Sequence, residues 1–131
     1  MSKTHRGGCL CGAVRFTVTG PLRPVAFCHC SQCRKQTGLY YAATSAPREA
    51  VAVTGEDAIT WFASSDKAER GFCRTCGSAL FWRASGSATV SILAGALDEA
   101  DHLTSDRHIY TRDRPGWYAV ADGLPQYTQS D

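Results

Sequence analysis

Apolar and polar side chains alternate with a period of two along most of this chain, the repeat of a strand with one buried face. Ala13-Val14-Arg15-Phe16-Thr17-Val18-Thr19 alternates up to Gly20-Pro21, and Leu39-Tyr40-Tyr41-Ala42-Ala43-Thr44 runs on to a stop near Pro47. Both segments predict strands. Residues 51–54, 59–63, 70–73, 79–83, 89–93 and 107–111 predict six more, most of them bounded by Gly, Asp or Ser. Ser31-Gln32-Cys33-Arg34-Lys35-Gln36-Thr37-Gly38 reads instead as a helix of about two turns, with Ser31 as N-cap and Gly38 as terminator. Asp98-Glu99-Ala100-Asp101 fits a second helical turn or an exposed turn. The fold class expected is mostly β.

Gly and Pro are scattered as punctuation, and no repeat or low-complexity tract divides the chain. With 131 residues and 44% apolar content, a single domain over 1–131 is the expectation. Fourteen basic and twelve acidic side chains leave a net charge of +2, and no run of five like charges offers a surface for nucleic acid or for a membrane. Met1-Ser2-Lys3-Thr4-His5-Arg6-Gly7-Gly8 has no apolar core of a leader, and no window of about 18 apolar residues exists, so the expected location is the cytosol.

Seven cysteines cannot all pair, and a reducing compartment keeps thiols free for metal. They fall in three clusters: Cys9-Leu10-Cys11, Cys28-His29-Cys30-Ser31-Gln32-Cys33 and Cys73-Arg74-Thr75-Cys76. A C-x-x-C turn converges two sulfurs on one ion, and an extended C-x-C presents both side chains on one face. One C-x-C and one C-x-x-C pair make a closed tetrahedral zinc site, which assigns Cys9, Cys11, Cys73 and Cys76 as a structural set. Cys28, Cys30 and Cys33 then remain as a three-thiolate set with one open coordination position, the pattern of a catalytic zinc, giving two zinc ions per chain. Two alternatives stay open on spacing: a ribbon-like site joining Cys30 and Cys33 to Cys73 and Cys76, and a triad that is structural or vacant. An iron–sulfur cluster would want four protein ligands where the triad gives three.

Neighbouring residues carry weaker signals. His29, between two ligands in an extended run, is expected to point away from the metal onto the outer face. His108, in Arg107-His108-Ile109-Tyr110, reads as a half-buried strand residue before a proton shuttle. Arg34 and Lys35 suit an exposed helix face, or the carboxylate of an anionic substrate. Trp117 and Tyr118 read as core aromatics before pocket walls.

Three stretches together resemble the glutathione-dependent formaldehyde-activating (GFA) or centromere-protein-V-like family: Gly8-Cys9-Leu10-Cys11-Gly12-Ala13-Val14-Arg15-Phe16, Cys28 through Gly38, and Phe72-Cys73-Arg74-Thr75-Cys76-Gly77-Ser78. Arg107-His108-Ile109-Tyr110, Trp117 and Asp122-Gly123-Leu124-Pro125-Gln126-Tyr127 resemble its C-terminal pattern. The resemblance implies an Mss4-like β-sheet fold (β-tent) with a short helix after C-x-C-x-x-C, and the same division of cysteines: four structural zinc ligands and Cys28, Cys30 and Cys33 as catalytic ones. It implies carbon–sulfur lyase chemistry on a thiol–aldehyde adduct, with glutathione and formaldehyde as the founding pair. Mss4-like domains also serve as binding platforms, so a non-enzymatic zinc-stabilised thiol-binding or interaction module is the rival reading.

Overall fold

The computed structural model of the chain describes residues 3–130, so the part of the N-terminal reading that falls on Met1 and Ser2 lies outside the described residues, as does Asp131. In chain order the elements are β1 (Thr4–Gly8), β2 (Arg15–Thr19), β3 (Val25–Cys28), the helix α1 (Ser31–Thr37), β4 (Tyr41–Pro47), β5 (Val51–Thr54), β6 (Ile59–Ala63), β7 (Ala68–Cys73), β8 (Ala79–Ala84), β9 (Thr89–Leu93) and β10 (Ser105–Ile109). The fold is mostly β, as expected, and the one α-helix of the described residues, α1, begins at Ser31 inside the C-x-C-x-x-C run and carries its last cysteine, Cys33, instead of following the run.

Two sheets form: a three-stranded one in the order β1-β2-β5, and a seven-stranded one in the order β10-β3-β4-β9-β8-β7-β6. Alternation in β2 points Phe16 and Val18 inward, and Phe16 meets Phe81 of β8 edge to face at 5.3 Å, so the main core lies between the sheets. Leu80 and Phe81 are consecutive in sequence yet both buried. A register shift explains them: Gly71 pairs with Phe81 and Phe72 with Ala79, leaving Leu80 as an extra residue that breaks the two-face rule.

All eight segments predicted as strands form strands, 51–54, 59–63 and 89–93 with the bounds expected and the other five with shifted ends, and β1 and β3 were not foreseen. β1 carries His5 and Gly7 at its inward positions, with no apolar alternation to mark it, and in β3 the adjacent Val25 and Ala26 are both buried. The predicted strand 107–111 ends at Ile109, where Tyr110 takes a positive φ of 55°. Asp98 to Asp101 forms no helix. No helix among the described residues is long and apolar enough to cross a membrane.

Candidate functional site

Each cysteine cluster sits where a strand gives way to a turn. β7 ends on Cys73, and Gly77 closes the following turn with its N–H on the Cys73 carbonyl at 2.8 Å and a φ of +79°, a conformation that costs a side-chain-bearing residue strain. Cys9 and Cys11 lie on a turn between β1 and β2 rather than in the extended segment expected, since the Gly12 N–H already bonds the Cys9 carbonyl at 3.2 Å. Cys28 ends β3, and Cys30, not Ser31, is the N-cap of α1, its Sγ accepting from the Cys33 N–H at 3.4 Å. A sulfur in that role satisfies a helix donor and holds Cys33 on the adjoining turn. Gly38 ends the helix with its N–H on the Arg34 carbonyl.

The seven sulfurs gather into two groups, Cys9 with Cys11, Cys73 and Cys76, and Cys28 with Cys30 and Cys33, each within 4.8 Å. Cys30 and Cys33 do not join Cys73 and Cys76. In the first group the Cys9–Cys11 and Cys11–Cys73 sulfur separations are 3.6 and 3.7 Å. Four thiolates at the usual Zn–S length of about 2.3 Å around a tetrahedron stand about 3.8 Å apart, whereas a disulfide would need about 2.0 Å. The four-sulfur group therefore fits zinc, and all seven cysteines are free of disulfides. The Val14 N–H donates to Cys9 Sγ at 3.3 Å. Ser78, whose part here was not foreseen, stitches the two turns: its Oγ accepts from the Leu10 N–H at 3.0 Å and lies 3.2 Å from Cys76 Sγ. Ser78, through its hydroxyl and backbone N–H, is the first cause that brings the Cys76 thiol down to about 5.

The three-sulfur group lies in its own nest, where Cys33, Tyr41 and Ala43 are buried and Trp82 and Leu93 pack against them. Hydrogen bonds from Cys28 and then Cys33 bring Cys30 down to about 2, and the same sharing pushes Cys28 far up. Opposite shifts on adjacent sulfurs are how thiols respond when they share protons at close quarters. The Arg70 guanidinium of β7 comes within 3.5 Å of Cys33 Sγ, a cation beside a thiolate position that the cysteine spacing gave no sign of.

His29 corrects the sequence reading. It stands outside both sulfur groups, as expected of the middle residue, but its side chain is 0% exposed instead of facing outward. Its Nε2 meets His108 Nδ1 at 2.8 Å, and His108 Nε2 meets Asp122 Oδ2 at 2.8 Å. His108 is likewise fully rather than half buried, at the level of Phe27 in the neighbouring strand. The hydrogen bond from His108, then the Leu124 N–H, holds the Asp122 carboxyl below its usual range, so it is an acceptor. His108 Nε2 then donates to that carboxylate, His108 Nδ1 and His29 Nε2 share the hydrogen bond between the rings, and His29 Nδ1 is left without a partner. Burial, then the nearby His108 and Arg114, lowers the His29 pKa and keeps the ring neutral. Trp117 is 73% exposed and is not a core residue, while Tyr118 stacks on His29 with ring centres 6.1 Å apart.

Residues 4–113 match the family described as glutathione-dependent formaldehyde-activating enzyme. A protein named as an uncharacterised lyase of Schizosaccharomyces pombe is 27% identical over 95% of this chain and 90% of its own length. A putative glutathione-dependent formaldehyde-activating enzyme of Halomonas elongata is 31% identical over 87% of this chain and 79% of its own. The crystal structure of a Rhodobacter sphaeroides protein superposes with a TM-score of 0.64 at 25% identity, covering 92% of this chain and 98% of that one. The family match spans both cysteine groups and the strands that carry them, and the chain belongs to the glutathione-dependent formaldehyde-activating enzyme family.

Proposed function

We propose that this chain is a single-domain cytosolic zinc enzyme, a carbon–sulfur lyase acting on a thiol–aldehyde adduct such as S-hydroxymethylglutathione. Cys28, Cys30 and Cys33 are its reactive metal ligands, and Cys9, Cys11, Cys73 and Cys76 its structural ones. The observation that carries the reading is the second sulfur group: three thiols within 4.8 Å of one another, apart from a four-thiol group already sufficient for a closed site. A scaffold of this size has no use for three more clustered thiols. When bound, zinc with three thiolates has a net charge of about −1, so it supplies a seat for a fourth thiolate more readily than strong polarisation of a carbonyl.

The protein's own groups prepare that seat. Arg70 places positive charge beside Cys33, and the buried nest of Tyr41 and Ala43 keeps water from one side of the thiols. Asp122 and His108 fix the orientation of the His29 ring, and with it the backbone between Cys28 and Cys30. In the cleavage direction the hydroxyl proton of the adduct departs, the aldehyde C=O forms, and the sulfur keeps the electron pair of the broken carbon–sulfur bond. In the reverse direction, holding the two partners together supplies the gain of proximity.

Carbon-13 magnetisation exchange between formaldehyde hydrate and S-hydroxymethylglutathione tests this. Zinc-loaded protein should speed the exchange in proportion to its concentration, and Cys30→Ser should not. An exchange rate equal to that of buffer would move the chain to the thiol-binding module reading.

A further inference from the structure

A cleft of about 600 Å³ opens between α1 and the β6–β7 hairpin, lined by Gln32, Lys35 and Gln36 of the helix and by Phe62, Arg70 and Phe72 of the strands. Its volume is that of a small-ligand site. Phe62 is 61% exposed there, an apolar wall without a cover, and Lys35 is exposed. Arg70 is the unusual member. It is only 5% exposed, yet its guanidinium meets two neutral amides, donating from Nη1 to Gln36 Oε1 at 2.9 Å and from Nη2 to Gln32 Oε1 at 3.4 Å. Its other contacts are Cys33 Sγ and, at 5.4 Å, the Tyr41 ring, and its Nε–H has no partner. Among the described residues no carboxylate pairs with it, whereas Arg15 and Arg83 hold Asp98 and Glu69 at 2.6 Å. A buried cation whose only anionic neighbour is a sulfur of the metal group, whose oxygen partners are neutral amides and whose Nε–H is free can take a second anion, and the guanidinium fork matches a carboxylate.

We propose that this cleft seats the carboxylate end of a peptide thiol, with Arg70 as its buried anchor and Lys35 as a second cation, while the thiol sulfur sits at the Cys28, Cys30 and Cys33 group. The assignment rests on the lyase reading for the sulfur and on the cleft itself for the carboxylate. Arg70 joins the two places by touching Cys33 and lining the cleft at once. Successive residues of an extended peptide advance about 3.3–3.6 Å, so a carboxylate one residue beyond the cysteine of the ligand falls within the reach of that one side chain.

Cobalt-loaded protein titrated with glutathione and with its glycine ethyl ester, which has the same thiol, reads the inference through thiolate-to-cobalt charge-transfer absorption. Wild type should bind glutathione about tenfold more tightly than the ester, the worth of one charge-assisted hydrogen bond. Arg70→Met should abolish the preference by weakening glutathione more than the ester, and Lys35→Glu, at an exposed site that folding tolerates, should reduce it. Equal affinities in wild type would overturn the cleft assignment and leave thiol binding standing. Equal weakening of both ligands by Arg70→Met would reduce Arg70 to a counter-charge for the thiolates and overturn it too. If Arg70→Met fails to fold, an unchanged preference in Lys35→Glu overturns it. If neither thiol alters the spectrum, the lyase reading fails, and amide NMR shifts of Gln32 and Gln36 with S-methylglutathione decide the cleft alone: shifts lost in Lys35→Glu support it, and no shifts end it.

Discussion

His29 Nε2 and His108 Nδ1 lie 2.8 Å apart across 79 residues of sequence, with both rings out of contact with solvent. β10 runs parallel to β3, and the His29 N–H bonds the Ile109 carbonyl at 3.0 Å, so the side-chain contact is set by backbone pairing. His108→Leu would leave the His29 ring without a partner at either nitrogen. It is expected to cost about 1–3 kcal/mol of unfolding free energy, as stranded buried polar groups do. Urea unfolding measures this, and wild-type stability in the variant would mean that the pair does not hold the strands.

Acid should act on the outer end of the same series. The Asp122 carboxyl is depressed by the hydrogen bond from His108, so its contribution is complete above the unfolded carboxylate value of about 3.9 and is lost as pH falls through the lower folded value. Asp122→Asn has no charge to lose. The melting temperature gap between the two proteins should be constant from about pH 5 to pH 7 and should close below about pH 4. A gap that is the same at all pH values would show that charge at Asp122 plays no part.

Two sulfur groups imply two ions. Native mass spectrometry of the reduced protein should find close to two zinc ions per chain, since seven clustered thiols exceed one tetrahedral shell. A stoichiometry of one, with Cys28, Cys30 and Cys33 freely alkylated, would remove the open site and leave the closed one.

The groups should also fail differently. Cys76→Ser is expected to abolish soluble expression or to lower the melting temperature sharply, because the closed group ties β1 and β2 to the β7–β8 turn and metal binding there is folding energy. Cys30→Ser should give a folded protein with one zinc. Thermal melts with metal analysis separate the outcomes, and unfolding of Cys30→Ser alone would reverse the roles.

Gly55 supports the closed group from behind. Its φ is +80°, and a Cβ on it would come within 2.0 Å of the Ala13 carbonyl oxygen, two residues after Cys11. Gly55→Ala is expected to cost at least about 1–3 kcal/mol from the left-handed conformation alone. Displacement of Ala13 should also speed zinc loss to a chelator, and wild-type release kinetics would disconnect Gly55 from the metal.

Strand periodicity made most of the sheet visible in the sequence because burial on one face leaves a period of two. It missed β1, whose inward positions are His5 and Gly7, and β3, whose Val25 and Ala26 are both covered. The cysteine clusters were legible because sulfur spacing along a chain survives folding. His29, Arg70 and Ser78 were not, since each takes its meaning from a partner more than thirty residues away: His108, Cys33 and Leu10. An arginine beside Gly71 and Phe72 in a strand was the available hint, as a charge among residues bound for the interior needs a reason.

The four-sulfur group draws together residues 62 apart, from Cys11 to Cys73, whereas the three-sulfur group is complete within Cys28 to Cys33. A ribosome therefore delivers the open group early and the closed group late. With zinc as the ion, scarcity would act on each newly made chain twice, through separate equilibria. The late group would set how many chains reach the folded state, and the early one how many of those are reactive.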